Sequence, residues 1–272
     1  MSSTAIHKVI LITGASSGIG KVCAEFLCSK GHRVYGTSRK PSTETRPFEM
    51  IAMDVNDDTS VAAGISHIVD REGRLDVVIN NAGMGIAGAL EDTSMDELKF
   101  QFETNFFGAF RVCKAVLPTM RAQQSGYIIN VSSLAGLIGV PFQGAYSASK
   151  FALEGLTEVL RMEVKSFGIH SVLIEPGDFN TGFTDNRIKT HQSQENTRYQ
   201  ASFNAALGVM EKDETNGAKP DEIAVLVDHI IGHPHPRPRY TVGSAVQKFA
   251  VTLKKLIPSR LFEAIIMKTY KI

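Results

Sequence analysis

Val9-Ile10-Leu11-Ile12 runs straight into Thr13-Gly14-Ala15-Ser16-Ser17-Gly18-Ile19-Gly20. Consecutive apolar residues of this kind read as a strand buried on both faces. The glycines that follow let the chain turn tightly, let a negatively charged group approach the backbone, and open a helix. A helix start reached this way offers free N–H groups and the positive end of the helix dipole. The spacing is not the G-x-G-x-x-G fingerprint, because three residues separate Gly14 from Gly18. It is not a P-loop either: no Ser or Thr follows Lys21, and Ala15 stands where the first glycine of that loop belongs. A tight strand-to-helix turn with no ligand is the plain alternative.

Similar runs recur at Arg33–Gly36, Met50–Met53, Val77–Ile79, Tyr127–Val131, Ser171–Ile174 and Arg239–Val242, separated by helix-length segments. This alternation predicts an α/β fold, a single Rossmann-like doubly wound domain whose seven-stranded parallel sheet is flanked by helices. A length of 272 residues suits one such domain. The domain is assigned to residues 1–245. Within it, residues 178–217 read as an excursion from the sheet, and the polar stretch Thr184–Gln200, without a clear period, reads as a substrate loop or mobile lid. Residues 246–272 form a C-terminal amphipathic helical extension, which Pro258 splits in two.

Lys plus Arg number 29 and Asp plus Glu 28, so no cationic excess points to nucleic acid as a partner. Cys23, Cys28 and Cys113 are too few and too scattered for a disulfide framework and read as buried small apolar residues. The N-terminus carries no cleavable signal, and no apolar stretch approaches the roughly 20 residues of a membrane span. A reducing, cytoplasmic location is expected. His233–Pro238 alternates proline with His233, His235 and Arg237; it lacks a third metal ligand and reads as a prolyl loop leading into the last strand, so no metal site is assigned.

The end of the second strand discriminates between nicotinamide dinucleotides in folds of this kind, an acidic residue there binding the ribose 2′-hydroxyl. Gly36-Thr37-Ser38-Arg39-Lys40 has no carboxylate, and the Arg39 guanidinium can pair with a 2′-phosphate. That favours NADP(H) over NAD(H). Further along, Tyr146 and Lys150 are four apart and share a helical face. Ser133 lies just after the strand Tyr127–Val131, and Asn105 falls within a helical stretch. Each of these features alone is weak.

Taken together, the chain resembles the classical short-chain dehydrogenase/reductase family. The resemblance rests on Thr13–Gly20, Asn80-Asn81-Ala82-Gly83, Asn105, Ile129-Asn130-Val131-Ser132-Ser133, Tyr146 with Lys150, and Pro176-Gly177 followed by Thr181, in the family's order over about residues 7–182. It implies that Tyr146 is the general acid in reduction and the base in oxidation. Lys150, with the oxidised nicotinamide, would favour the phenolate of a side chain that otherwise titrates near pH ~10. Lys150 would also bond the nicotinamide ribose. Ser133, rather than Ser132, would stabilise charge developing on the substrate oxygen, and Asn105 would support a proton-relaying water.

For the cofactor the resemblance implies contacts from Gly14, Ser16, Ser17, Gly18, Ile19 and Gly20. Ser38 and Arg39 would meet the adenosine ribose and its phosphate, Asp54 and Val55 the adenine, Asn81 the adenosine side of the cleft, and Thr181 the carboxamide. The plain alternatives are a strand-end cap for Asp54 and a structural hydrogen bond for Asn81.

Substrate in this fold meets loops at the C-terminal ends of the strands. Met84–Leu90, Leu134–Phe142 and Phe179–Gly208 are the candidates, offering Met84, Leu90, Leu134, Phe142, Phe179 and Phe183 with few charges near Tyr146. The expected substrate is therefore a small lipophilic carbonyl or alcohol. The long tail, with Arg239-Tyr240-Thr241-Val242-Gly243, is similar to the 17β-hydroxysteroid and retinol dehydrogenase subgroup. The expected activity is carbonyl–alcohol interconversion on a steroid, retinoid or long-chain keto compound. A ketoacyl or ketosphinganine reductase is the alternative, and an inactive NADP(H) sensor the alternative of another class. The tail is expected to pack on the body or over the cleft, with peripheral membrane contact as the other option. The resemblance further implies a homodimer through the helices carrying Asn105 and Tyr146, with a tetramer possible.

Overall fold

The computed structural model describes residues 7–42 and 44–272; residues 1–6 of the expected domain lie outside the described residues. In chain order the elements are β1 (Val9–Ile12), α1 (Gly18–Ser29), β2 (Arg33–Ser38), β3 (Glu49–Ala52), α2 (Asp58–Glu72), β4 (Val77–Asn80) and β5 (Ile86–Ala87). Next come α3 (Met95–Phe102), α4 (Gly108–Gln123), β6 (Gly126–Val131), α5 (Gly144–Val164), β7 (Ile169–Pro176) and β8 (Ile188–Lys189). The chain closes with α6 (Thr197–Thr215), α7 (Asp221–Gly232), β9 (Arg239–Val242), α8 (Ala245–Leu256) and α9 (Ser259–Tyr270).

Every expected strand forms, and all join one parallel sheet in the order β3-β2-β1-β4-β6-β7-β9. The strand order reverses between β1 and β4, the switch point outside whose carboxyl ends doubly wound sheets open a crevice. Alternate residues of β1 point to opposite faces. Ile10 and Ile12 pack with Cys23, Ala24 and Leu27 of α1 and Ile223, Val227 and Ile230 of α7. Val9 and Leu11 pack with Val61, Ile65 and Ile68 of α2 and Val112 and Val116 of α4. Each fully buried aliphatic side chain contributes about 1.5–3 kcal/mol relative to exposure, so both sheet faces must be covered for the apolar strands to be stable.

Some helices begin where a side chain satisfies their first N–H groups. Asp57 caps α2 by accepting from Ser60 N, and Ser94 with Glu97 forms a capping box on α3. Ser17, at the start of α1, makes no such bond.

Three expectations change. The polar stretch Thr184–Gln200, expected as a substrate loop or lid without a clear period, carries regular elements. Its Ile188–Lys189 pairs in parallel with Ile86–Ala87, and its last residues begin α6. Asn196 caps that helix, and the buried Phe203, Ala206, Leu207 and Met210 hold it; this apolar stripe starts beyond the polar residues. Cys28 is only half-buried: it packs at the margin of the core cluster that buries Cys23 and donates from Sγ to Pro47 O at 2.8 Å. Phe179, offered as a substrate contact, lies in the main core.

Candidate active site

The Thr13–Gly20 turn leaves β1 at the switch point. Gly14 and Gly18 have φ of +66° and +55°, the left-handed region that favours glycine. At Gly20 a Cβ would lie 2.4 Å from the Gly14 carbonyl oxygen, so the turn can fold back over the helix start only with glycine there. Asn81, at the end of β4, donates from Nδ2 to the carbonyls of Thr13 and Gly14 at 3.0 and 3.1 Å. Thr13 Oγ1 in return accepts from the backbone N of Asn81 and Ala82. Asn81 thus holds the turn in shape, the plain alternative to a direct cofactor contact. The uncapped start of α1 and the glycine surface form a cradle that a pyrophosphate fits. Across it, a Cβ on Gly18 would be in ordinary contact with Thr181, at 3.6 Å from its Cβ.

Ser38 and Arg39 end β2, with Arg39 exposed. Asp54 Oδ1 accepts from Asn56 N at 3.0 Å, so part of this carboxylate serves the turn as a cap. Val55 is buried and its side chain packs against Gly108. Sequence reasoning missed Arg46. Its guanidinium donates to the carbonyls of Ala15 and Ser16 at 3.2 and 3.3 Å and lies over the Phe48 ring, with the side chain only 6% exposed. No motif marks Arg46; it lies on the β2–β3 connection, and only the fold carries it back to the glycine turn.

Ser133, Tyr146, Lys150 and Asn105 converge beside the carboxyl end of β6. Ser133 lies two residues beyond the strand, accepting from Ala135 N at 3.1 Å and donating to Pro176 O at 3.4 Å. Ser132 is fully buried, which leaves Ser133 as the serine beside the phenol. Tyr146 and Lys150 lie one turn apart on α5, both buried. Lys150 Nζ donates to Val131 O at 2.9 Å and stands 5.8 Å from the Tyr146 ring centroid. Asn105 occupies a π-helical turn, Glu103–Phe107, between α3 and α4, a local widening frequent at functional sites. Its Oδ1 accepts from Met84 N at 2.9 Å, and its Nδ2 donates to Met84 O and Ser149 Oγ. A Cβ on Gly83 would lie 3.3 Å from Asn105 Oδ1 and 3.8 Å from Lys150 Nζ, so both groups border the same small space.

Burial dominates the electrostatics. It pushes the Tyr146 phenol up to about 12, against the pull of the Ser133 hydroxyl. It lowers Lys150 to about 8, and Glu154, one turn further along α5, works in the opposite direction. In the protein alone, with Lys150 donating to the Val131 carbonyl, the phenol keeps its proton at neutral pH. Behind Lys150, Arg239 on β9 pairs with Glu154, Glu158 and Glu175.

Phe183 closes over the site. Its ring lies 5.6 Å from that of Tyr146, and it fills the space a Cβ on Gly85 would need. Phe142 has φ of +59° and packs on Phe203 and Tyr199, an unusual backbone for a bulky residue in a loop beside the site. Arg187 is buried beneath Phe183 and pairs with Glu214. Asp178, raised to about 6 chiefly by burial, lies near Glu214 and accepts from Gln247 of α8. Tyr270 of α9 has the same charged neighbours. The tail therefore packs on the body beside the cleft.

Residues 8–192 match the short chain dehydrogenase family. The chain is 47% identical over 256 residues to a 3-ketodihydrosphingosine reductase of Bacteroides thetaiotaomicron, covering 94% of this chain and 95% of that one. It also resembles the crystal structure of a short-chain dehydrogenase from Streptomyces avermitilis, with TM-score 0.82, 32% identity, and coverage of 94% and 96%. Among the structural neighbours one holds NAD and another NADP.

Proposed function

Because the chain belongs to the short-chain dehydrogenase/reductase family, whose members are oxidoreductases acting on CH–OH groups, we propose that it is an NADPH-dependent reductase of a long-chain ketone, most specifically of a 3-keto long-chain amino alcohol. The observation that carries the reaction is the convergence of Ser133, Tyr146 and Lys150 beside the glycine turn. The substrate class rests on the relative with 47% identity over nearly the whole of both chains. Phe183 and Phe142 supply apolar surface.

Gly14, Ser16, Ser17, Gly18, Ile19 and Gly20 would hold the cofactor's pyrophosphate, Ser38 and Arg39 its 2′-phosphorylated ribose, Asp54 and Val55 its adenine, and Thr181 its carboxamide. Arg46 and Asn81 keep the turn in shape from either side. Bound NADP(H) supplies or accepts the hydride. Tyr146, protonated at neutral pH, donates its proton to the oxygen of the reduced carbonyl. The Ser133 hydroxyl donates a hydrogen bond to that oxygen as charge develops on it. Lys150 orients the nicotinamide ribose and, with Asn105, borders the route by which Tyr146 regains its proton. The exposed Phe107, Phe110, Phe151, Val159 and Met162 on α4, α5 and the π-turn supply a homodimer face. Unpaired thiols suit a reducing, cytoplasmic setting.

The test is NADPH oxidation, followed by absorbance, with 3-ketodihydrosphingosine, steroid, retinoid and acyl-carrier ketones offered in parallel, and NADH as the alternative reductant. Turnover of the long-chain amino ketone at least tenfold above the others supports the reading. Preference for a steroid or retinoid carbonyl overturns the substrate assignment while leaving the reductase intact.

A further inference from the structure

The tail departs from what a packed amphipathic helix requires. Along α8, Val246, Phe249, Leu253 and Leu256 recur at spacings of three, four and three and so form one stripe. Such a stripe ordinarily faces the core. Here Val246, Phe249 and Leu256 are 77%, 60% and 73% exposed, and α8 buries no residue fully. The side of α8 turned to the body carries Gln247, Ala250 and Val251, all part-buried, while Lys248 and Lys255 share the exposed side with Val246, Phe249 and Leu256. Gln247 donates to Asp178, and Lys254 donates to the Leu137 carbonyl and lies over the Phe151 ring. On α9, Phe262 is buried while Leu261, Ile265 and Met267 are exposed.

Charge indicates what covers this surface. Residues 245–272 contain Lys248, Lys254, Lys255, Arg260, Lys268 and Lys271 against the single acid Glu263. The extension is thus +5 in a chain whose net charge is +1, leaving the remainder at −4. A symmetric contact between two copies of the stripe would bring like charges together. An anionic bilayer offers both an apolar layer for the stripe and negative charge for the flanking cations.

We propose that α8 and α9 form an interfacial anchor that docks the protein on anionic lipid surfaces through Val246, Phe249 and Leu256. The anchor borders the cleft, since Lys254 reaches the 134–142 loop and Tyr270 approaches the Asp178–Glu214 cluster. A substrate with a long alkyl chain could then pass from lipid to cleft without crossing water. The docking itself does not depend on which carbonyl is reduced.

The test is co-sedimentation of the full chain with vesicles of phosphatidylcholine alone or mixed equally with phosphatidylglycerol. Two exposed pairs are changed, Phe249→Asp with Leu256→Asp, and Lys248→Glu with Lys255→Glu. The melting shift induced by NADPH checks the fold and cofactor site independently of docking. The wild type is expected to sediment with the anionic vesicles, and each double variant to lose at least about tenfold in partitioning while keeping its NADPH shift. A wild type that stays in solution with anionic vesicles overturns the proposal, as do variants that sediment equally well. A fall in particle mass of the Phe249→Asp/Leu256→Asp variant without lipid would assign the stripe to self-association instead.

Discussion

Gly20 and Asn81 are packed so closely that a methyl group on the glycine would lie 2.5 Å from the asparagine's Nδ2. The same methyl would meet the Gly14 carbonyl oxygen, and neither backbone nor pinned amide can yield cheaply. Gly20→Ala is expected to open the turn. Overpacking costs about 1–3 kcal/mol, and here it falls on the cofactor cradle, so NADPH affinity should drop about tenfold or more in a calorimetric titration.

Arg39 and Arg46 approach the adenosine end of the cradle differently and should separate experimentally. Arg39 is exposed at the end of β2, ready for a 2′-phosphate; a charge-assisted hydrogen bond contributes about 1.5–3 kcal/mol. Arg39→Ala should weaken NADPH by at least about tenfold and leave NADH nearly unchanged. Arg46 braces the carbonyls of Ala15 and Ser16, so Arg46→Ala should weaken both cofactors alike. Equal losses for Arg39→Ala would remove it from the 2′-phosphate.

These two arginines mark the boundary of what is legible in the chain. The strands can be read because parallel strands buried on both faces must be apolar, and Val9–Ile12 or Val77–Asn80 have no other use for such runs. Ser133, Tyr146 and Lys150 are legible through the family resemblance, which their order and spacing with the glycine turn carry, and not through any one of them alone. Arg46 is not legible, since its partners are backbone carbonyls 31 and 30 residues away. Asn81 is visible as a candidate, but its work on the turn depends on two strands meeting at the switch point. The helix α6 escapes notice because its first turn is polar and its buried stripe begins only at Phe203.

The activity should depend on pH through Lys150. Its pKa is lowered to about 8, whereas Tyr146 is raised to about 12. From pH 6 to 7 the lysine is charged and the phenol protonated, so kcat/KM for carbonyl reduction should be nearly flat. Above about pH 8 the ammonium loses its proton and the rate of reduction should fall. Alcohol oxidation, which needs the phenolate, should instead gain from rising pH. A pH profile of both directions checks the signs, and a fall in reduction centred near pH 6 would contradict this assignment.

Arg239 neutralises two carboxylates, those of Glu154 and Glu175, that are almost wholly buried. Arg239→Met would leave them facing each other without a cation. Removing one partner of a buried ionic network costs about 3–5 kcal/mol, a loss readable from the denaturation midpoint at pH 7. Glu154 already has a raised pKa. A carboxyl raised in the folded state binds its proton more readily there, so the variant's deficit should shrink as the pH falls toward 5.

The most direct test of the account is Tyr146→Phe, compared with wild type for NADPH binding and for single-turnover reduction of the long-chain ketone. The phenol oxygen is the only group removed, and a general acid typically contributes about 10²–10⁴-fold. Unchanged NADPH affinity with reduction slowed at least about 100-fold is the predicted result. Reduction at near wild-type rate would contradict the claim that Tyr146 delivers the proton.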